Sequence, residues 1–599
     1  MRPGAHPVAP VAGTLEPLPH RMLSRIVARM PLDSTPTITL PVENTAAAEP
    51  RTPGSEWWRS AVIYQIYPRS FADASGDGIG DLAGITERLP SLAALGVDAV
   101  WLSPFFRSPQ KDAGYDVADY CDVDPIFGTL ADFDALSDRA RELGLRVIVD
   151  LVPNHSSDQH VWFQEALAAG PGSPERDRYM FREGKGESGE LPPNNWPSVF
   201  GGDAWTRVTE PDGTPGQWYL HLFDSSQPDF NWKNPVVWEE FRRILRFWLD
   251  RGVDGFRVDV AHGLMKKEGL PDIAAAASSD NIADALMSPD ETPWWAQPEV
   301  HEVYRDWHEV LAAYDGDRVL CAEAWVEPLA KAALWVRPDE MHQAFNFSYL
   351  GTPWKPERLR SVVDESIAAF TGVGAPSTWV LSNHDVVRHA SRYGLPPATA
   401  VPNAGIGPAS EDKPDAALGL HRARAATAMM LSLPGSAYLY QGEELGLPEV
   451  IELDDHVRED PTFHRTGGES YGRDGCRVPI PWEADAPAYG FSGTGSSWLP
   501  QPAEFAELAR DRQEGVEGST LELYRAALAL RAERDLGMGS LAWVDGYGED
   551  VVAFRNGDVL VLANLGESPV ALPAGEVLLV SNPLVDGGLP TDTTAWIAV

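Results

Sequence analysis

Cysteine is scarce. Three in 599 residues (Cys121, Cys321 and Cys476) are too few, and odd in number, for a disulfide framework. They suit a reducing compartment, and no two stand at metal-ligand spacing. Long apolar runs are also missing: nothing approaches the roughly 18 uninterrupted residues of a membrane span. Basic residues are in short supply, with 48 Lys and Arg against 88 Asp and Glu, a formal net charge of −40. A chain so acidic repels nucleic-acid phosphates and anionic membrane surfaces, which sets both aside as partners. The opening residues lack the apolar core of a secretory signal, so the cytoplasm is the expected location.

What is present describes a globular protein. Hydrophobic residues make up 43% and charged residues 23% of the chain. The length exceeds one compact core. Residues 1–54 hold ten prolines and little periodicity, and read as a disordered extension. Beyond them, β-rich runs alternate with amphipathic helical stretches. The strand candidates are 61–68, 98–105, 146–153, 255–260, 319–325, 344–349, 378–385 and 436–441; helices such as 132–143, 235–251 and 421–433 lie between them. Eight such units read as a (β/α)8 barrel, with a doubly wound sheet as the alternative from pattern alone. The barrel domain is expected over 55–155 and 227–536. Residues 156–226 are too long for a simple βα loop and should form an inserted domain. A second irregular insertion, 442–510, follows the eighth strand. From 537 to 599, five short β-rich runs separated by turn residues suggest a small antiparallel β-domain.

Barrel enzymes place their working residues at the C-terminal ends of strands. Those ends carry Asp150, with Asn154 and His155 beyond it, then Arg257, Asp259 and His262, then Glu323, then His384 and Asp385. Three carboxylates (Asp259, Glu323 and Asp385) therefore converge on one mouth, flanked by Arg and His, and buried like charges are costly without a task. Glycoside hydrolysis needs such a set: one carboxylate ionised to attack the anomeric carbon, another protonated for the leaving oxygen. Arg257 stands two residues before Asp259, so both point to one face of the strand, and its charge would favour an ionised Asp259. Glu323, beside Trp325 and near other carboxylates, would be raised and serve as the acid.

DLVPNH (150–155), GFRVDVAH (255–262), EAW (323–325) and SNHD (382–385), with QPDFNW (227–232), resemble the signature regions of the α-amylase superfamily, glycoside hydrolase family 13. The resemblance covers nearly all of residues 57–599. It implies a (β/α)8 barrel and a retaining mechanism with Asp259 as nucleophile, Glu323 as general acid/base and Asp385 holding sugar hydroxyls. It also implies that His155, Arg257 and His384 bind the sugar in the −1 subsite and that Arg388 supports Asp385.

Residues 64–85 and DAGYDVADY (112–120) look like the α-glucosidase and oligo-1,6-glucosidase branch. There the pattern puts Asp112 and Tyr115 around the terminal glucose and Arg477, in GRDGCRVPIPW (472–482), as its cap. The expected substrates are maltose and short malto-oligosaccharides, with isomaltose second because Val260 follows the nucleophile; the same site could run transglucosylation, trehalose synthesis or sucrose processing. Asp73, Ser75, Asp77, Ile79 and Asp81 alternate along a Gly-rich loop like the first part of a calcium loop, and the resemblance implies structural Ca2+, in some relatives Mg2+, there. The alternative is an Asx-turn loop without a metal. No organic cofactor is expected. Of the 21 tryptophans, Trp162, Trp232 and Trp325 lie near the motifs and are the candidates for sugar stacking.

Overall fold

The structure, a computed structural model, describes residues 56–273, 292–397, 399–403 and 405–599. The expected N-terminal extension lies outside the described residues.

Eight parallel strands form one sheet: β1 (Val62–Ile66), β2 (Ala99–Leu102), β3 (Arg146–Leu151), β4 (Gly255–Val258), β5 (Val319–Ala322), β6 (Gln343–Ala344), β7 (Thr378–Val380) and β8 (Ser436–Tyr440). Their order is β6-β5-β4-β3-β2-β1-β8-β7. A parallel bridge between Phe345 and Thr378, with Asn346 N donating to Thr378 O at 3.1 Å, joins the two ends and closes the barrel. The expected (β/α)8 architecture is present, and the open doubly wound alternative is not.

Alternation along the strands decides which side chains face the interior. Val62, Tyr64 and Ile66 of β1, Val147, Val149 and Leu151 of β3, and Phe256 and Val258 of β4 pack outward with the helices in one large core. The residues between them form a second cluster that fills the barrel: Ile63, Trp101, Ile148, Val319, Cys321, Phe345 and Tyr438. Continuing that inner register upward brings Gln65, Asp150, Arg257, Asp259 and Glu323 to the C-terminal mouth.

The helices follow local signals. Leu130–Glu142 begins at a capping box formed by Thr129 and Asp132, and Pro235–Asp250 has Asn234 as its N-cap and proline in its first turn. Ala416–Leu431 starts five residues before the amphipathic pattern indicated, because Asp415 caps Leu418. The sixth strand is shorter than 344–349. It ends at Ala344, since the Asn346 side chain accepts from Tyr349 N at 2.9 Å and starts the short helix Phe347–Leu350. Between β3 and β4, Phe181–Arg182, Trp205–Thr209 and Pro215–Leu220 make a three-stranded antiparallel sheet. Among the described residues no helix is long and apolar enough to cross a membrane.

The C-terminal sheet runs 541–543, 551–556, 559–564, 593–598, 576–580 in order of pairing, and its pairings are antiparallel. Two details differ from the sequence reading. VALPAG supplies only Val570–Ala571, which pairs with Gly588–Leu589 outside this sheet. Thr593–Ala598, not expected as a strand, lies between 559–564 and 576–580. Trp596 on that strand is fully buried, and its indole donates to Ala428 O at 3.0 Å, locking the sheet onto the helix between β7 and β8. Trp596→Ala should cost about 3–5 kcal/mol, the usual penalty for emptying a buried aromatic site. A thermal melt should show the lower midpoint; an unchanged midpoint would mean that the barrel melts independently of this sheet.

Candidate active site

Arg257 is the centre of the mouth. It is 1% exposed and lies under the faces of Trp101 and Tyr115, 5.1 and 5.8 Å from the ring centres. Its Nη1 contacts Asp150 Oδ1 at 2.9 Å and Asp259 Oδ1 at 2.6 Å, and its Nη2 contacts Glu323 Oε2 at 3.1 Å. One guanidinium thus bridges three carboxylates delivered by β3, β4 and β5. Burial opposes the charge on Arg257, but the carboxylates around it hold it charged. Burial raises Asp150 to about 7 against the pull of Arg257. Asp259 is also raised by burial; Arg257 opposes this, while Glu323 and Asp150 add to it. Burial thus outweighs Arg257 at both Asp150 and Asp259, against the expectation that the guanidinium would favour an ionised Asp259.

Two features fix Glu323. Its Oε2 accepts from Val260 N at 2.9 Å, and its Oε1 accepts from the Trp325 indole at 3.1 Å. Trp325 is stacked on Phe347, ring centres 3.8 Å apart. Val260 achieves its contact in a left-handed conformation, φ +44°. For a β-branched residue that is strained, and the strain is stored one residue after Asp259. The Val260 side chain packs into an apolar cluster with Trp205, Leu222 and Trp295, so the inserted sheet braces the loop after β4.

A second charged cluster stands across the mouth. Asp385 Oδ1 accepts from Arg477 at 2.8 Å and from Arg473 at 3.1 Å. Arg473 also reaches Asp112 Oδ1 at 2.9 Å and Asp460 Oδ2 at 2.5 Å. Burial pushes Asp385 up, but His384, Arg473, Arg477 and Arg257 together hold it far below the usual carboxylate range. His384 is itself kept neutral by burial, so the arginines carry that effect. His155 is likewise lowered by burial. Its Nε2 lies 3.1 Å from Tyr115 O and 3.2 Å from Gln227 Nε2, and the same Gln227 amide donates to Asp112 Oδ2 at 3.1 Å. Tyr115 joins the clusters: its hydroxyl contacts Asp150 Oδ2 at 3.1 Å and His384 Nε2 at 2.5 Å.

All nine expected catalytic and sugar-contact residues thus meet at one mouth, and several neighbouring expectations change. Arg388 does not touch Asp385. Its guanidinium donates to the carbonyls of Gln441 and Cys476, each at 2.8 Å, and so supports the loop that carries Arg477. Arg473 takes the place expected for Arg388; the sequence signal was there, four residues before Arg477 and across a tight turn, Asp474–Cys476. Trp232 is 1% exposed, packed on Phe241 and Trp307 with its indole on Pro153 O, and Trp162 lies under Arg178. Of the three candidate stacking tryptophans, Trp325 alone adjoins the carboxylates. His262 packs at a tilt against Trp295, ring centres 4.5 Å apart, and is lowered by burial to about 4. Lys266, unremarked in the sequence, is a buried ammonium held by Asp229 at 2.7 Å and Asn154 at 2.8 Å. It ties the QPDFNW segment to the loop after Asp259.

The acidic loop lies apart from this mouth. Asp73 accepts from Ser75 Oγ and from the amides of Gly76 and Gly78; Asp81 accepts from Ser75 N and caps Gly84. Asp77 accepts from Ile79 N at 2.8 Å. These are Asx-turn bonds, which hold the loop by themselves. Among the described residues, no group of three or more His, Cys, Asp or Glu is arranged as a metal cluster.

Known proteins show the same architecture. The family model of the alpha-amylase catalytic domain matches residues 65–538. A probable alpha-glucosidase of Rhizobium meliloti strain 1021 is 40% identical over 531 residues, 86% of this chain and 90% of that one. An oligo-1,6-glucosidase of Parageobacillus thermoglucosidasius is 34% identical over 511 residues, 80% of this chain and 84% of its own. Among solved structures, the alpha-glucosyl transfer enzyme XgtA superposes with a TM-score of 0.76 at 38% identity, over 90% of this chain and 99% of that one. The trehalulose synthase MutB of Pseudomonas mesoacidophila MX-45 gives 0.78 at 32% identity, over 91% and 100%. With the carboxylate set in place on the barrel, the chain belongs to the alpha-amylase family, glycoside hydrolase family 13, in its α-glucosidase branch.

Proposed function

We propose that this protein is a retaining, exo-acting α-glucosidase that releases glucose from the non-reducing end of maltose and short malto-oligosaccharides, with α-1,6 bonds as secondary substrates. The observation that carries the reading is the shared guanidinium: Arg257 holds Asp259 and Glu323 on opposite arms of one fork. In this reading Asp259, ionised, attacks the anomeric carbon and forms a glucosyl ester. Glu323 gives its proton to the departing glycosidic oxygen and then takes one from the water that cleaves the ester. Asp385, kept ionised by its arginines, accepts hydrogen bonds from sugar hydroxyls. The Arg473–Asp112 pair closes the far end of the pocket, which supports exo action on a terminal glucose. Likeness to XgtA and MutB supports transfer to a sugar acceptor as a second outcome of the same glucosyl ester. The free Cys121, Cys321 and Cys476 support a reducing, cytoplasmic setting. The 73–81 loop is proposed as a structural Ca2+ or Mg2+ site, because a carboxylate that accepts one or two amide bonds keeps lone pairs for a hard cation.

Asp259→Asn should abolish glucose release from maltose and isomaltose, while wild-type enzyme releases glucose from maltose faster. Glu323→Gln should lower kcat by about 10²–10⁴-fold. With an aryl α-glucoside, whose leaving group needs no proton, this variant should accumulate a chain heavier by one glucosyl unit in the mass spectrum. Absence of that adduct would remove the retaining mechanism. Arg473→Met breaks a mostly buried charge pair, worth about 3–5 kcal/mol where nothing compensates. Arg477 remains on Asp385, so a smaller loss in kcat/KM, about 10–100-fold, is expected. Because Asp385 is depressed in the native protein, losing Arg473 raises it. The acid limb of the pH–activity profile should therefore move to higher pH, and an unmoved limb would separate Asp385 from the chemistry. For the acidic loop, millimolar Ca2+ should raise the thermal midpoint over that in EDTA, and Asp73→Asn should remove the difference; equal midpoints in wild type would leave the Asx-turn loop as the whole account.

A further inference from the structure

His384 is fixed in orientation by its neighbours. Its ring lies against Tyr115, centres 5.4 Å apart and 8° from parallel, and against Tyr67 at 5.8 Å and 24°. Its two nitrogens therefore meet different partners permanently. Nδ1 lies 2.6 Å from Gln65 Nε2. Nε2 lies 2.5 Å from the Tyr115 hydroxyl and 3.3 Å from Asp385 Oδ2. A neutral imidazole has one N–H, so its position decides whether His384 donates or accepts at the mouth.

The surrounding charges choose. Asp385 Oδ1 takes both arginines, and the partner of Oδ2 among the described residues is His384 Nε2. A lone pair on Nε2 would oppose an ionised oxygen at that distance, whereas a proton there is attracted to it. With the proton on Nε2, the Tyr115 hydroxyl is free to donate to Asp150 Oδ2 at 3.1 Å. That arrangement requires Nδ1 to accept, and Gln65 is the donor placed to serve it. Gln65 lies on the inner face of β1 at 1% exposure and also donates to Ser103 Oγ at 3.0 Å, while its Oε1 is buried without a hydrogen-bond partner. The reversed amide, with Oε1 toward Nδ1, would put the proton on Nδ1. It would also turn the Nε2 lone pair onto Asp385 and draw the Tyr115 proton away from Asp150.

We propose that Gln65 is a positioning residue that holds His384 as its Nε2–H tautomer, so that His384 presents a neutral hydrogen-bond donor beside Asp385 to a hydroxyl of the bound sugar. The use of that donor rests on reading this mouth as the glucose-binding pocket. The tautomer itself is a property of the resting protein and is measured without substrate.

The experiment is nitrogen-15 NMR on histidine-labelled protein, with the His384 signals assigned by their loss in His384→Gln. Wild type should show a protonated Nε2 and a bare Nδ1, unchanged across roughly pH 6–8 as expected of a neutral buried imidazole. Gln65→Glu replaces the donor with an acceptor. It should convert His384 to the Nδ1–H form or to imidazolium, lower kcat on maltose about tenfold and add a new limb to the pH–rate profile. A bare Nε2 in wild type overturns the proposal, and so does a Gln65→Glu protein whose His384 signals and pH profile match wild type. The wild-type spectrum alone decides the tautomer if the variant does not fold. Persistence of activity in Asp259→Asn would instead overturn the pocket reading, leaving the tautomer standing.

Discussion

The buried guanidinium of Arg257 is the constraint on which the site depends. Asp150, Asp259 and Glu323 come from three neighbouring strands whose inner register leaves them nowhere else to point. Without a central cation their mutual repulsion and desolvation would be borne by the barrel wall, and breaking such a buried arrangement is among the more costly single changes a fold can suffer. With it, the carboxyls are drawn together at fixed distances. The same contact that makes the barrel mouth tolerable therefore sets Asp259 and Glu323 on the two arms of one fork.

The second cluster repeats this logic with cations from a loop instead of a strand. Asp460 holds Arg473 from behind, and Arg473 and Arg477 both reach Asp385. The irregular segment after β8 thus delivers its charges accurately because buried partners fix them, including Arg388 on the carbonyls of Gln441 and Cys476. Tyr115 and His384 connect the two clusters, so a chain of hydrogen bonds and ion-pair contacts runs from Asp460 to Glu323. On the other side, Lys266 and the apolar packing of Val260 tie the inserted sheet to the strand that carries Asp259.

Much of this was legible before any coordinates. Strand ends bearing Asp150, Arg257, Glu323 and Asp385 are local facts, and period-2 alternation sends them to one face. The eight-fold alternation of strands and helices likewise survives almost element by element. What local pattern did not reveal depends on distant partners. The sequence reading named Arg388 as the support for Asp385, because Arg473 gains that place only when the loop after β8 folds back and Asp460 and Asp112 fix it. AFNFSY has strand composition, yet the Asn346 side chain caps a helix turn and ends the strand. Thr593–Ala598 looked unremarkable because its value lies in two flanking strands and a helix carbonyl that Trp596 reaches. Trp232 stood beside a motif but was claimed by the core.

The charge count around Asp385 has a consequence for which sugars can enter. Arg473 and Arg477 supply two positive charges, and Asp112, Asp385 and Asp460 supply three negative ones, all paired at contact distance. Both of these cations are already paired. A disaccharide phosphorylated on its terminal glucose, or ending in a uronic acid, would have to bury its charge against a net negative wall, with the acidic surface of the whole protein behind it. An anionic sugar would therefore meet an electrostatic cost at this end of the mouth that a neutral sugar does not.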